Sequence, residues 1–430
     1  MAFRYRTVST ITFYQGVLPK NYLSQRVHSI VEANPWLSGY LEKESSGIWI
    51  KYPTVLPSPT EIERRHLKFI EDPALNENFE FRQYNARYNS LLVKTGKECL
   101  GKHDEYLFRV IAIKISEVKF ALICSLSHVL GDGFTFYSIY GMLSQSVSPY
   151  SLQRYPISDF ENRSKELFKG SDVDDMQSFQ FAISMMINLI KTSLFKPPFQ
   201  PYIYYLDEEW IAREKKAAVM ADPSCTFVST NDILMSWFCR LVQSDFAMMA
   251  ANLRDRLPGL DKMHAGNYQV TISYQPADYA SPTLIRKSLQ DKSNIGRVVS
   301  GPLPGPFSFL LGDLRIALTT NWSTFYLDLE LQDCEQIIHF PIIGRAGGNP
   351  ISDGMIIFRP NKGKLAVFVA TRSCSDALMR SQKIFLAPLL GSVVEEESKG
   401  FERWTVWIIA ISFVVLAISM QFFYPVAIFV

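Results

Sequence analysis

From Trp404 to Val430 the chain runs 27 residues without a charged side chain, dense in Ile, Val, Phe and Ala. As a helix rising 1.5 Å per residue this stretch would extend about 40 Å, more than the roughly 30 Å of a bilayer's hydrocarbon. A helix buried in a globular core seldom exceeds twenty residues without a polar face, so the pattern predicts a membrane span over 404–430. Trp404 and Trp407 would mark one interface and Tyr424 the other, with Pro425 ending or bending the helix near its far side. A span placed this late inserts after synthesis and leaves the preceding body facing the cytosol. Lys399 and Arg403 beside it agree with the positive-inside rule. The expected location is a single-pass, tail-anchored one in the endoplasmic reticulum or another organelle membrane.

The body before the tail reads as globular. Of 430 residues, 47% are apolar, 13% aromatic and 20% charged, with 22 Gly and 23 Pro, which excludes a collagen, a disordered chain and a disulfide-stapled miniprotein. That length leaves room for two substantial cores. The 44 basic and 42 acidic residues are interspersed, and no Lys/Arg block interleaves with aromatics, so nucleic acid is excluded as a partner. Six cysteines, at 99, 124, 225, 239, 334 and 374, form no C-x-x-C pair, and no His is spaced to complete a zinc site. They are expected to be buried free thiols, with no metal bound. The N-terminal Met-Ala-Phe-Arg-Tyr-Arg lacks the apolar core of a signal peptide.

Strand and helix periodicities alternate in both halves. Arg6–Tyr14 alternates as a strand, Pro19–Ala33 carries Leu23, Val27, Ile30 and Val31 at helical spacing, and Leu41–Lys51 alternates again. Tyr106–Ile115 and Val118–Ser127 are two β-rich runs spaced as a hairpin, followed by a helix over Gly133–Gln145. The Pro-rich stretch Lys196-Pro-Pro-Phe-Gln-Pro-Tyr202 punctuates the middle. Beyond it come a helix over Ser229–Ala251, strands near Tyr268–Tyr274 and Phe325–Leu331, and a closing pair, Gly354–Arg359 and Lys364–Thr371, around the turn Pro360-Asn-Lys-Gly363. In Phe179–Phe195 the residues Phe179, Ile183, Met186, Ile190 and Leu194 recur at helical spacing, as a buried helix or a face resting on a membrane. The fold class is α/β, with one unit over 1–200, a second over 201–395 and the apolar tail over 404–430.

Chemistry concentrates at His128-Val-Leu-Gly-Asp132-Gly133, where an apolar strand ends and a helix begins. A strand end fixes the backbone while its histidine projects into whatever cleft lies there. A neutral imidazole, with a pKa near 6.5, can accept a proton from an attacking hydroxyl or amine. Asp132 can hold the turn by hydrogen bonds or an Arg pair, and the glycines allow a tight exit.

This His-x-x-x-Asp-Gly pattern resembles the signature of the chloramphenicol-acetyltransferase-like superfamily, which includes BAHD acyltransferases, wax-ester synthases and peptide-synthetase condensation domains. Further stretches match in order. Ile30–Leu41 is similar to the family's first helix running into its "P-x-L-x-G-x-L" strand, and Ser229–Trp237 to the helix opening the second half. Asn252-Leu-Arg-Asp-Arg256 with Gly266-Asn267-Tyr268 resembles the "N-x-R-x-R … G-N-x" segment. Leu284-Ile-Arg286-Lys287 resembles an "A-x-x-I-R" helix, and Thr320-Asn-Trp322 the "T-S-W" segment. The likeness spans about residues 8–372. Two departures mark a divergent member. The family's Asp-Phe-Gly-Trp-Gly is represented only by Asp328-Leu-Glu-Leu-Gln332, and position 127 is Ser where wax-ester synthases and condensation domains carry a second His.

The resemblance implies two acyltransferase-like domains of mixed sheets flanked by helices, with a tunnel between them. His128 would act as general base, Asp132 would hold its loop and Gly133 would permit the turn. Thr320 would offer a hydroxyl near the oxyanion or acceptor, and Trp322 would line the pocket. Acyl-CoA would be co-substrate, with no permanently bound cofactor, and Arg286, Lys287 and Lys292 would be candidates for its phosphates. A membrane-anchored monomer acylating the hydroxyl of a hydrophobic, lipid-like acceptor is the expected activity. An amine acceptor, or a silent binding module of the same fold, are the alternatives.

Overall fold

The computed structural model describes residues 7–389 except 79–80, 156, 158, 169–178, 196, 198, 292–294, 300, 302, 305–307, 309–311, 313 and 343–351. The span expected at 404–430 lies outside the described residues; among these, no helix is long and apolar enough to cross a membrane. The strands, in chain order, are β1 (Thr7–Gln15), β2 (Tyr40–Glu44), β3 (Gly47–Lys51), β4 (Leu67–Glu71), β5 (Phe108–Ser116), β6 (Lys119–Ser127) and β7 (Gln200–Leu206). They continue as β8 (Phe246–Asn252), β9 (Gln269–Tyr274), β10 (Ile316–Asn321), β11 (Glu335–Ile342), β12 (Asp353–Phe358), β13 (Ala366–Thr371) and β14 (Phe385–Pro388).

Five strands form one sheet in the order β11-β1-β6-β5-β4, and seven form another in the order β14-β7-β13-β12-β10-β8-β9. The first is antiparallel except for β4 beside β5, whereas in the second β10 runs parallel to both β8 and β12. β6 is buried from Phe120 to Ser127 because both its faces are covered. Phe120, Leu122 and Leu126 pack with Leu23 and Val27 of the helix Lys20–Ala33 and with Phe136 and Tyr140 of the helix Gly133–Gly141. On the other face, Ala121 and Ile123 join Ile11, Phe13 and Phe340 against Ile203, Phe358 and Phe368 of the second sheet. The two sheets thus share one apolar layer. The far side of the second sheet is covered by the helices Glu208–Ala221, Thr230–Leu241 and Pro282–Gln290, through Ile211, Phe238 and Ile285.

One connection breaks the division by sequence. After β10 the chain leaves the second sheet, lays β11 along β1 at the edge of the first, and returns to place β12 beside β10. Pro341, opposite Thr10, cannot donate to a ladder, and an edge strand is where it is tolerated.

Several sequence expectations need correction. Leu41–Lys51 is a hairpin, β2 paired to β3, because Gly47 (φ +142°) takes a backbone conformation other residues resist. The helix expected to Ala251 stops at Leu241. After Gln243, in the left-handed region (φ +52°), the apolar run Phe246–Asn252 pairs as β8 with β9 and β10. A short run apolar on both faces has no period to separate helix from strand, and the pairing decides. Phe325–Leu331 is irregular, and the strand of that region is β11. The helix Phe179–Phe195 forms, but its buried positions include a polar stripe, Ser184, Asn188 and Thr192, while Ile183, Met186 and Ile190 are half-buried. Phe181 and Met185 pack with Phe246 of β8. All six cysteines are free and five are buried; Cys334 is half-exposed.

Candidate functional site

His128 follows β6 directly. Ser127 N–H donates to Leu107 O (2.8 Å), and Leu130 N–H closes the turn onto Ser127 O (2.9 Å). Asp132 then caps the helix Gly133–Gly141, its Oδ1 accepting from the Thr135 N–H (3.0 Å) and hydroxyl (3.1 Å). Its other oxygen, Oδ2, accepts from Arg254 Nη1 (2.8 Å) and from the Tyr268 N–H (3.1 Å). This ion pair is almost completely buried, with the side chains 2% and 1% exposed.

Arg254 is the hub. Its Nε donates to His264 O (2.9 Å), Nη1 also to Asn252 Oδ1 (3.1 Å), and Nη2 to Thr135 Oγ1 (3.1 Å) and Gly266 O (3.0 Å). With the Asp132 bond, all five guanidinium donors have acceptors, the condition under which a buried charge is tolerated. The guanidinium also lies over the rings of Phe134 (4.5 Å) and Tyr268 (5.2 Å). The loop carrying His128 is held from the second half at two further points. Asn267 Nδ2 donates to His128 O (2.8 Å), and Asp132 N–H donates to Gly266 O (3.2 Å). Arg254 and Asn267 were within the segments matched by sequence, but no role could be read for them until the fold brought them to Asp132 and His128.

Gly133 has a reason other than the one expected. Neither it nor Gly131 adopts a positive φ. A Cβ on Gly133 would stand 3.1 Å from Trp322 Nε1, so the glycine makes room for the indole. Trp322 also meets the Tyr137 ring edge-on (6.2 Å), and its backbone N–H donates to Ile357 O (2.8 Å). Thr320 stands half-buried on β10, in register with Ile356, which packs into the layer between the sheets.

Beneath the helix Gly133–Gly141 lies a buried polar chain that sequence reasoning missed. Tyr140 OH meets Thr12 Oγ1 (2.7 Å), which meets His339 Nδ1 (2.9 Å), while Tyr137 OH meets His339 Nε2 (3.0 Å). Burial pushes His339 down to about 3, so its imidazole is neutral at physiological pH. Asp328, the surviving residue of the family's five-residue signature, is bonded by the Tyr326 hydroxyl, whose own pKa burial and this carboxylate push well up.

Two of the three residues expected near the phosphates, Arg286 and Lys287, are ion-paired. Arg286 binds buried Asp232 through Nε (2.7 Å) and Nη2 (2.6 Å) and lies 4.6 Å over the Phe227 ring. Lys287 binds Asp222 (2.6 Å), holding that carboxyl well below the usual range. Each thus has a carboxylate partner already; Lys292 lies outside the described residues. Among the described residues no His, Cys, Asp and Glu converge as a metal site.

No family model and no curated protein matches the chain. Its backbone is similar to that of F. sporotrichioides TRI101 complexed with coenzyme A and T-2, with a TM-score of 0.56 and 13% identity over 88% of this chain and 93% of that one. It is also similar to polyketide synthase associated protein 5 from Mycobacterium tuberculosis (TM-score 0.54, 12% identity, 87% and 92% covered). A third likeness is to the first condensation domain of the calcium-dependent antibiotic synthetase in complex with a substrate analogue (TM-score 0.53, 9% identity, 88% of each chain). At such identities the likeness is one of fold. The chloramphenicol-acetyltransferase-like fold expected from the His128 signature is the fold the chain has.

Proposed function

We propose that the chain is an acyltransferase that moves an acyl group from acyl-CoA to the hydroxyl of a hydrophobic acceptor, with His128 as general base. The acceptor oxygen attacks the thioester carbonyl as the imidazole takes its proton. The carbon–sulfur bond then breaks, and the imidazolium returns the proton to the departing thiolate, leaving ester and free CoA. No acyl-enzyme is required. General-base help of this kind is worth roughly 10²–10⁴-fold, the rest coming from alignment and oxyanion stabilisation.

The observation that carries this reading is the framing of one strand-end histidine by both halves of the chain: Asp132, Arg254 and Asn267 hold its turn. A coenzyme A donor is supported by the like-folded TRI101 structures, which hold that molecule. A span at 404–430 suits an apolar acceptor, since tethering to a bilayer raises the local concentration of what dissolves there.

The test is release of free thiol from short- and long-chain acyl-CoAs in the presence of alcohols and amines, with wild type and His128→Ala compared. Acceptor-dependent release, two to four orders of magnitude slower in His128→Ala, is the expected result. Equal rates in the two proteins would remove His128 as base. Faster release with amines than with alcohols would reassign the acceptor. No release from any pair by a folded protein would leave a binding module.

A further inference from the structure

Residues 150–154 cross from one half of the molecule to the other. On the first side, Asn34 Nδ2 donates to Tyr150 O and Asn34 Oδ1 accepts from Leu152 N–H, both at 2.9 Å. On the second, Gln153 N–H donates to Met263 O and Gln153 O accepts from Ala265 N–H, both at 2.8 Å. Arg154, the end of this strap, turns back toward the His128 loop. Its Nη2 donates to Val129 O (3.4 Å) and its Nη1 to Ala265 O (3.5 Å), while the guanidinium lies 5.4 Å from the Trp36 ring centroid.

This arginine is unlike Arg254. Its described contacts are two carbonyls and a ring, and among the described residues no carboxylate lies in ion-pair reach. Burial pushes it down to about 10, so it stays charged at neutral pH. Covering a cation with no carboxylate in direct contact costs stability, and an apolar side chain would cover Trp36 as well. What the charge adds is a hold on the peptide just after the histidine.

We propose that Arg154 is a positioning residue for His128. Asn267 bonds the carbonyl of His128 and Arg154 the carbonyl of Val129, so two successive peptide planes at the base of the imidazole are fixed from outside the turn. The effect on turnover rests on the acyl-transfer reading; the hold on the turn does not.

The test uses full-length Arg154→Met and Arg154→Lys beside wild type, with two readouts. Hydrogen exchange of the peptide spanning residues 127–134 should quicken in Arg154→Met, confined to that turn, because the amides of Leu130 and Asp132 lose their fixed frame. In acyl transfer, kcat should fall roughly 10- to 100-fold, the cost of a small misplacement of a reacting group, while KM for acyl-CoA stays within about twofold. Arg154→Lys, which keeps the charge and can reach one carbonyl, should recover part of both. Unchanged exchange in a folded Arg154→Met would overturn the proposal, as would a raised KM with kcat intact, which would make Arg154 a substrate ligand. Quickened exchange in a protein whose wild type transfers no acyl group would support the hold on the turn and overturn the acyl-transfer reading alone.

Discussion

Asp132 meets four donors without leaving the interior, and its removal would strand the charge of Arg254 among four uncharged acceptors. Breaking a buried pair from one side costs about 3–5 kcal/mol, because the remaining charge is uncompensated. Asp132→Asn should therefore lower unfolding free energy by about that much in urea at pH 7, and a loss under 1 kcal/mol would contradict the role. Arg254→Lys should fare little better, since an ammonium offers three donors where the guanidinium fills five sites. At this scale the sequence was legible in part. The spacing of His128, Asp132 and Gly133 marked the place, and an Arg partner for Asp132 was a stated option. Which arginine, and that Gly133 yields to Trp322 instead of serving a turn, depended on contacts between residues far apart in the chain.

Among the elements, β11 was the least legible and is the most consequential. Its sequence, Glu335–Ile342, contains a proline and a buried histidine, which weaken a strand reading, and the strand pairs with β1 from the opposite end of the chain. Tertiary pairing, absent from any local pattern, supplies its stability. The crossover also delivers His339 beneath the helix that follows the His128 loop. His339 and His66, the latter pushed down to about 4 by burial, are neutral in the fold, whereas an unfolded histidine titrates near 6.5. Below pH 6.5 the unfolded chain gains protons that the folded chain does not accept. The stability these two residues contribute is complete above 6.5 and is lost as pH falls toward 4. Each adds a slope of up to about 1.4 kcal/mol per pH unit. Unfolding free energy measured between pH 6.5 and 4.5 should thus fall steeply, and His339→Gln should remove about half of that histidine-dependent slope. An unchanged slope would mean that His339 takes up its proton without leaving the fold.

For the molecule as a whole, the alternation of strands and helices was enough to set the α/β class, because that pattern survives errors at element ends. The exchange of β11 between the sheets was not, since nothing local distinguishes a strand that stays from one that crosses. The tail adds the remaining constraint. We propose that the apolar stretch 404–430 anchors the body: the last described strand, β14, lies at an edge of the second sheet, and a link of 14 residues spans at most about 50 Å in any conformation. A body held that close to a bilayer would sample acceptors dissolved in it at far above their bulk concentration. The full-length chain should then float with neutral phosphatidylcholine vesicles in high salt, where a purely electrostatic attachment would be screened. A chain ending at Gly400 should remain in the dense fraction. The two should turn over a water-soluble alcohol at the same rate, while a bilayer-dissolved alcohol should react roughly tenfold or more slowly with the shortened chain. Flotation of the shortened chain would move the attachment to the described body, where the half-buried Ile183, Met186 and Ile190 of the helix Phe179–Phe195 form an apolar surface to vary next.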